Sequence, residues 1–152
     1  MTHHRRRNNG TDPSKINETV ELSPAQRYAA FKQTQAKQRT VAAEFARSMP
    51  FELDEFQMQA NDALEAGDNV LVAAPTGAGK TVVADFAIYL AQTRNVKAFY
   101  TTPIKALSNQ KYHDLVDQYG MDKVGLLTGD TSINSEADIV VMTTESVAQY
   151  AV

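Results

Sequence analysis

Apolar residues recur along the chain at two spacings, and each spacing predicts a different element. A return every three or four positions predicts an amphipathic helix, whereas a short unbroken apolar run predicts a strand buried on both faces of a parallel sheet. The helical stretches are LDEFQMQANDALEAG, TVVADFAIYLAQ and IKALSNQKYHDLVDQYG. The strand-like runs are NVLVAA, VKAFYTT, KVGLLTG and DIVVMTT. Their alternation predicts an α/β fold with a doubly wound, mostly parallel sheet.

The first fifty residues do not follow this alternation. Residues 1–22 are polar and have no hydrophobic period, so we expect a disordered basic tail. A Ser-Pro pair then marks a helix N-terminus and a Met-Pro pair its end, which predicts one helix over residues 23–49. Residues 50–152 form the first part of the predicted α/β domain.

Composition excludes several classes of protein. The chain has 152 residues, enough for one ordinary domain, and no cysteine, which excludes disulfides and cysteine-based zinc sites. No apolar run approaches the roughly 18 to 20 residues that span a bilayer, and no apolar segment follows the N-terminal arginines as in a secretory signal. We therefore expect a cytoplasmic protein without a membrane partner.

Charge divides the chain into two parts. Residues 1–49 contain nine Lys and Arg against four Asp and Glu, whereas residues 50–152 contain six against fourteen. A basic arm on an acidic domain is compatible with contact to a polyanion, and equally with a solvated tail that has no partner.

The segment APTGAGKT carries the first chemical signal. It follows a strand-like run and precedes a helical stretch, which is the context of a phosphate-binding loop. Glycines there let backbone N–H groups surround phosphate oxygens at a helix N-terminus. Lys80 is expected to reach the β and γ phosphates and Thr81 to ligate Mg²⁺. Ala74 stands where the usual motif has its first glycine.

The segment FELDEFQ, upstream of this loop, has two interpretations. Asp54 followed three residues later by Gln57 is typical of a helix capping box, with Phe51 as a buried anchor. The alternative is a base-recognition element for the nucleotide, and helix logic by itself favours the cap.

Five segments in order, F-x-L-D-x-F-Q, A-P-T-G-A-G-K-T, T-T-P-I-K-A-L-S-N-Q-K, T-G-D and T-T-E, resemble the first RecA-like domain of superfamily 2 helicases. The similarity is to DExH-box RNA helicases of the superkiller and exosome-associated type, including actinobacterial relatives. The resemblance implies a RecA-like P-loop NTPase fold and ATP with Mg²⁺ as cofactors. It also changes the preference for FELDEFQ: Phe51 would stack on adenine and Gln57 would read its edge.

The same resemblance implies the remaining site residues. Those that hold the triphosphate and Mg²⁺ would be Pro75, Thr76, Gly77, Ala78, Gly79, Lys80 and Thr81, with Lys80 and Thr81 catalytic and Thr81 the metal ligand. Those that contact the backbone of single-stranded RNA or DNA would be Pro103, Lys105, Ala106, Gln110, Thr128, Gly129, Asp130, Thr143, Thr144 and Glu145. Hydroxyls, backbone N–H groups and one lysine suit contact that does not depend on sequence.

No Asp-Glu-x-His motif occurs in the 152 residues. The spacing of elements would place it, with the next core strand, within roughly 30 residues of Val152. The coupling Ser-Ala-Thr motif and the second RecA-like domain are also absent from the sequence. We therefore interpret the chain as the N-terminal part of an ATP-dependent helicase, unable to sustain hydrolysis alone, with an open sheet edge at its last strand.

Two other functions remain as alternatives. A non-catalytic nucleic-acid-binding module would carry the same motifs, and only an Asp-Glu-x-His beyond residue 152 would separate it from a motor. A small P-loop kinase would need lid arginines, but Arg94, at a predicted helix end, is the only arginine after the loop.

Overall fold

The computed structural model describes residues 22–150. The helices are α1 Pro24–Gln38, α2 Val41–Ser48, α3 Glu55–Ala66, α4 Lys80–Thr93, α5 Lys105–Tyr119 and α6 Thr144–Tyr150. The strands are β1 Ala98–Thr102, β2 Val124–Thr128, β3 Thr131–Ile133 and β4 Ile139–Thr143. None of the helices in the described range has the length and apolar character needed to cross a bilayer. The predicted disordered tail lies outside this range except for Leu22.

The chain divides into two compact units, Met1–Lys37 and Gln38–Val152. The single helix predicted over residues 23–49 is wrong, because the structure has two helices there. Thr40 takes an extended conformation, and its hydroxyl accepts a hydrogen bond from the Ala43 N–H at 3.2 Å. A threonine in this conformation is an N-cap, so it ends one helix and starts another.

The second helix is fixed to the larger unit at both its N-terminus and its apolar face. The Glu65 carboxylate on α3 accepts hydrogen bonds from the N–H groups of Val41 and Ala42, at 3.0 and 2.7 Å. Phe45 is fully buried, and its ring meets that of Phe86 on α4 at a centroid distance of 5.3 Å. These contacts explain why the unit boundary precedes α2.

The sheet has the strand order β1-β4-β2-β3. β4 pairs in parallel with β1 and with β2, whereas the short β3 pairs antiparallel with β2. The mostly parallel sheet is therefore confirmed, but the expectation of an open edge at the last strand is wrong. β4 is central, and the edges within the described residues are β1 and β3.

Side chains of β4 pack alternately on the two faces of the sheet. Ile139 and Val141 join a cluster with residues of α4, α5 and β2, whereas Val140 and Met142 join a cluster with Ala137 on the other side. Alternation of this kind follows from the period of two in a strand. Helix α6 contacts β4, β1 and β2.

The run NVLVAA does not form a strand. Residues 68–75 carry no regular secondary structure, and Leu71 is 94 % exposed. The prediction of a buried strand before the phosphate loop is therefore wrong for this structure. The run has no hydrogen-bonded neighbour among residues 22–150 to cover it.

Candidate functional site

The phosphate loop, residues 74–80, turns sharply into α4. Gly77 and Gly79 have φ angles of 84° and 77°, in the left-handed region that glycine tolerates best. A Cβ atom at position 79 would also lie 2.6 Å from Gln57 Nε2, so two constraints require glycine there. The loop therefore leads the N–H groups of the first turn of α4 to one place, where they can bind an anion.

Lys80 is the first residue of α4, and its side chain lies across the loop. Its Nζ donates a hydrogen bond to the carbonyl oxygen of Ala74 at 2.7 Å, which joins the two ends of the loop. Thr81 follows with an exposed side chain. In the described part of the chain, no three His, Asp or Glu side chains are grouped to hold a metal ion.

Gln57 connects the start of α3 to the phosphate loop. Its side chain is 3 % exposed; Oε1 accepts from the Asp54 N–H at 2.8 Å and Nε2 donates to the Gly79 carbonyl at 2.9 Å. The capping interpretation is confirmed, because both amide groups are used in this structure. Adenine recognition by Gln57 stays a prediction, and it requires that one of these bonds be shared or exchanged.

Phe51 lies at an apolar groove beside the N-terminus of α3. Its ring is 51 % exposed, so it is not the buried anchor that the capping interpretation required. The groove has a volume of about 560 Å³ and is lined by Ala46, Arg47, Met49, Pro50, Phe51, Glu52, Leu53 and Met58. An exposed aromatic ring in a mostly apolar groove is suited to stacking on a planar base.

A second group of predicted residues lies where β1, β2 and β4 end. The exposed members form what we call the strand-end surface: Pro103, Lys105, Ala106, Gln110, Gly129, Asp130, Thr144 and Glu145. Parallel strands direct their carboxyl ends to one edge of the sheet, which is why segments distant in sequence meet there.

Lys105 and Asp130 form an ion pair within this surface. The Lys105 Nζ lies 2.5 Å from Asp130 Oδ2, and the Thr128 hydroxyl donates to Asp130 Oδ1 at 3.1 Å. The hydrogen bond from Lys105, followed by that from Thr128, holds the pKa of Asp130 below its ordinary value. The carboxylate therefore stays charged and neutralises the lysine that was expected to contact phosphate.

Two predicted contact residues are buried. Thr128 and Thr143 are each less than a tenth exposed; the Thr143 hydroxyl shares a hydrogen bond with Ser146 at 2.9 Å. Thr144 begins α6, and its hydroxyl donates to the Thr102 carbonyl at 3.1 Å. These hydroxyls connect the strand ends to one another, so their contact with a nucleic acid stays a prediction.

Several residues that position this surface were not identified from the sequence. The buried hydroxyls of Thr102 and Ser108 share a hydrogen bond of 2.6 Å between the end of β1 and α5. Lys111 on α5 pairs with Asp85 on α4 at 2.5 Å. Neither pair has a helical spacing, and Lys111 and Asp85 are 26 residues apart, so no sequence pattern indicated them.

Comparison with known proteins identifies the same region. The DEAD/DEAH box helicase family model matches residues 54–151. The probable helicase HelY of Mycobacterium tuberculosis is 61% identical over 101 residues, 66% of this chain and 11% of that protein. The antiviral helicase SKI2 of Saccharomyces cerevisiae is 55% identical over 100 residues, 66% of this chain and 8% of that protein. The chain thus spans about a tenth of the length of these relatives.

A solved structure gives the same result for the fold. The hypothetical ATP-dependent RNA helicase from Sulfolobus tokodaii superposes with a TM-score of 0.52 at 26% identity, over 74% of this chain and 37% of that one. The RecA-like α/β fold is therefore confirmed. With the loop, the strand-end surface and these relatives in agreement, the chain belongs to the DEAD/DEAH box helicase family, among the superfamily 2 DExH-box helicases of the superkiller type.

Proposed function

We propose that this chain binds ATP with Mg²⁺ at the phosphate loop and a single strand of RNA at the strand-end surface. The observation that carries the proposal is the geometry of the loop, in which two left-handed glycines precede a helix that begins with Lys80 and Thr81. The names of the relatives support RNA: DExH11 of Arabidopsis thaliana, an ATP-dependent RNA helicase, is 53% identical over 102 residues.

The residues of the loop divide the work of binding. Backbone N–H groups from residues 76–81 would surround the phosphates, and Lys80 would exchange its bond to the Ala74 carbonyl for contact with the β and γ phosphates. The Thr81 hydroxyl would be a ligand of Mg²⁺, whose other ligands come from the phosphates and water. Bound Mg²⁺ supplies charge neutralisation at the phosphates.

The complete protein would couple ATP hydrolysis to 3′-to-5′ movement along RNA, and this chain would supply half of each site. Acidic residues that activate water and an arginine that stabilises the transition state are expected outside the 152 residues. We therefore propose that the chain binds nucleotide without sustained turnover, because positioned charges supply most of the catalysis of phosphoryl transfer.

Nucleotide binding is tested by titrating a fluorescent ATP analogue with Mg²⁺ into the chain and its Lys80→Ala variant. We expect at least a tenfold loss of affinity, since charge-assisted hydrogen bonds contribute about 1.5–3 kcal/mol. Lys123→Ala is the matched control, because Lys123 is exposed and precedes β2. Equal affinities of all three proteins would contradict the proposed loop.

RNA binding is tested with a labelled 20-nucleotide single strand and its DNA counterpart. We expect Lys105→Ala to weaken binding and Lys123→Ala to leave it unchanged. Asp130→Asn is expected to strengthen binding, because it removes the carboxylate that neutralises Lys105. If Lys105→Ala binds as tightly as the unmodified chain, the strand-end surface is not the site.

Arg94 argues against the kinase alternative. It caps the C-terminus of α4, and its guanidinium donates to the Glu65 carbonyl on α3. The 14-residue helix between it and the loop extends for about 20 Å, so this arginine cannot clamp a phosphate bound there.

A further inference from the structure

Helix α1 is not explained by the proposed function. It precedes residue 54, where the family match begins, and it belongs to the smaller unit of the chain. All of its residues are exposed, although it contains two aromatic side chains. A helix that exposes aromatic rings needs a partner or a reason to be wet on every face.

The two rings lie together between cations. Tyr28 and Phe31 are 62 % and 59 % exposed, and a separation of three residues makes them neighbours on one face. At 3.6 residues per turn, Arg27 and Lys32 flank the pair on opposite sides. The Lys32 Nζ lies 5.5 Å from the centre of the Tyr28 ring, within range of a cation–π contact.

The charge of this segment has one sign. Residues 22–40 include Arg27, Lys32, Lys37 and Arg39 and no aspartate or glutamate. The domain after residue 49 has a net negative charge. A segment with cations and no acidic side chain is complementary to a polyanion.

The apolar content of α1 argues against two other partners. Between Pro24 and Gln38 there is no Leu, Ile, Val or Met, so apart from alanines the two rings are the whole apolar face. A helix that docks in a protein groove presents several anchors over two turns, and one that lies on a bilayer needs a wide apolar face. Aromatic rings between cations are instead the combination that binds single-stranded nucleic acid.

We infer that α1 is an auxiliary binding surface for single-stranded nucleic acid. Unstacked bases stack on Tyr28 and Phe31, and Arg27 and Lys32 contact the adjoining phosphates. The inference rests on the proposed function, since it extends the nucleic-acid binding proposed for the strand-end surface to a second segment. Neither the family match nor the 101-residue similarity to HelY, 66% of this chain, is needed for it.

The test compares variants of the complete chain by fluorescence anisotropy with a labelled 20-nucleotide poly(U) RNA. We expect Tyr28→Ala with Phe31→Ala to weaken binding by about tenfold or more, since two stacking contacts are lost. We expect Arg27→Gln with Lys32→Gln to lower the slope of log affinity against log salt by about 1. Gln33→Ala, on the opposite face of α1, is the control and should change neither quantity.

None of these residues is buried, so the variants should unfold at the same temperature as the unmodified chain. If Lys105→Ala weakens RNA binding but the α1 variants do not, the inference is overturned and the proposed function stands. If the α1 variants weaken binding and Lys105→Ala does not, the inference stands and the strand-end surface is wrong. Loss of binding to anionic lipid vesicles, with RNA binding unchanged in the same variants, would also overturn the inference.

Discussion

Two apolar runs of the chain have nearly the same pattern and opposite environments. NVLVAA precedes the phosphate loop and DIVVMTT precedes α6; each is short, rich in valine and bounded by polar residues. The second forms β4, in which every residue is buried. The first forms no strand, and Leu71 within it is 94 % exposed.

The difference lies in the neighbours of each run. β4 has a parallel partner on each side, so its backbone groups are paired and its side chains are covered on both faces. Residues 70–74 have no paired strand in the described range; Val70 and Val72 contribute only to a cavity of about 280 Å³ against α3 and α4. An apolar run therefore predicts the ability to be a buried strand, and hydrogen-bonded neighbours decide whether it becomes one.

Hydrogen exchange should show the largest contrast between the two runs. Amides of β4 should exchange only through global unfolding, whereas those of residues 70–74 should exchange almost as in an unfolded chain. For a domain of about 5 kcal/mol, the difference in rate is on the order of a thousandfold or more. Mass-spectrometric exchange of the 152-residue chain measures it. Equal protection of both runs would mean that residues 70–74 are paired in solution.

Truncation of one side chain in each run should give the next largest contrast. Ile139→Ala removes a fully buried side chain from β4 and should lower the free energy of unfolding by about 2–5 kcal/mol. Leu71→Ala should change it by less than about 0.5 kcal/mol, because the side chain is already in water. Urea unfolding of both variants tests this, and a loss above about 1.5 kcal/mol for Leu71→Ala would show that the run is packed.

A substitution on α3, beside the exposed run, should stabilise the chain. Asn61 is 1 % exposed, and neither its amide nitrogen nor its amide oxygen has a hydrogen-bond partner. Asn61→Leu should raise the free energy of unfolding by about 1 kcal/mol, because it removes unpaired buried polar atoms. Asn69→Leu, at an exposed position, is the control. Destabilisation by Asn61→Leu would indicate that a bound water pairs the amide in solution.

The smallest effect is expected at the end of β2, next to the paired run. Because the pKa of Asp130 is lowered, its ionised form favours the folded state. This contribution is present above the unfolded-state pKa and is lost as the pH falls through the folded-state pKa, below about 4. Asp130→Asn should reduce the loss of stability between pH 7 and pH 3, measured by urea unfolding. An unchanged pH dependence, with Asp117→Asn as control, would contradict the ion pair.

Most of the elements could be predicted because their signals are local. Gly67 and Gly120 end α3 and α5 as expected, and both helical stretches carry their apolar residues at helical spacing. The phosphate loop was equally predictable, since its glycines and the lysine that follows are contiguous. The short β3 was missed because three residues give no periodic signal; it pairs close to Gly125, where a Cβ would lie 2.1 Å from the Asn134 carbonyl oxygen.

The break between α1 and α2 was missed for a different reason. Residues on both sides of Thr40 are acceptable in a helix, and the sequence does not show that Glu65 binds the N–H groups of Val41 and Ala42. In the same way, Gln57 was identified as a functional residue, but its bond to the Gly79 carbonyl depends on how α3 packs against the loop.

The sequence by itself determined the family, the phosphate loop and the order of helices and strands, because these depend on residues that are adjacent or one helical turn apart. Only the tertiary structure decided that β4 is central, that residues 70–74 stay unpaired and that Lys105 faces Asp130. Strand pairing and ion pairing across 25 residues are contacts between distant segments. Their free energy depends on which surfaces meet, and no local pattern of side chains records that.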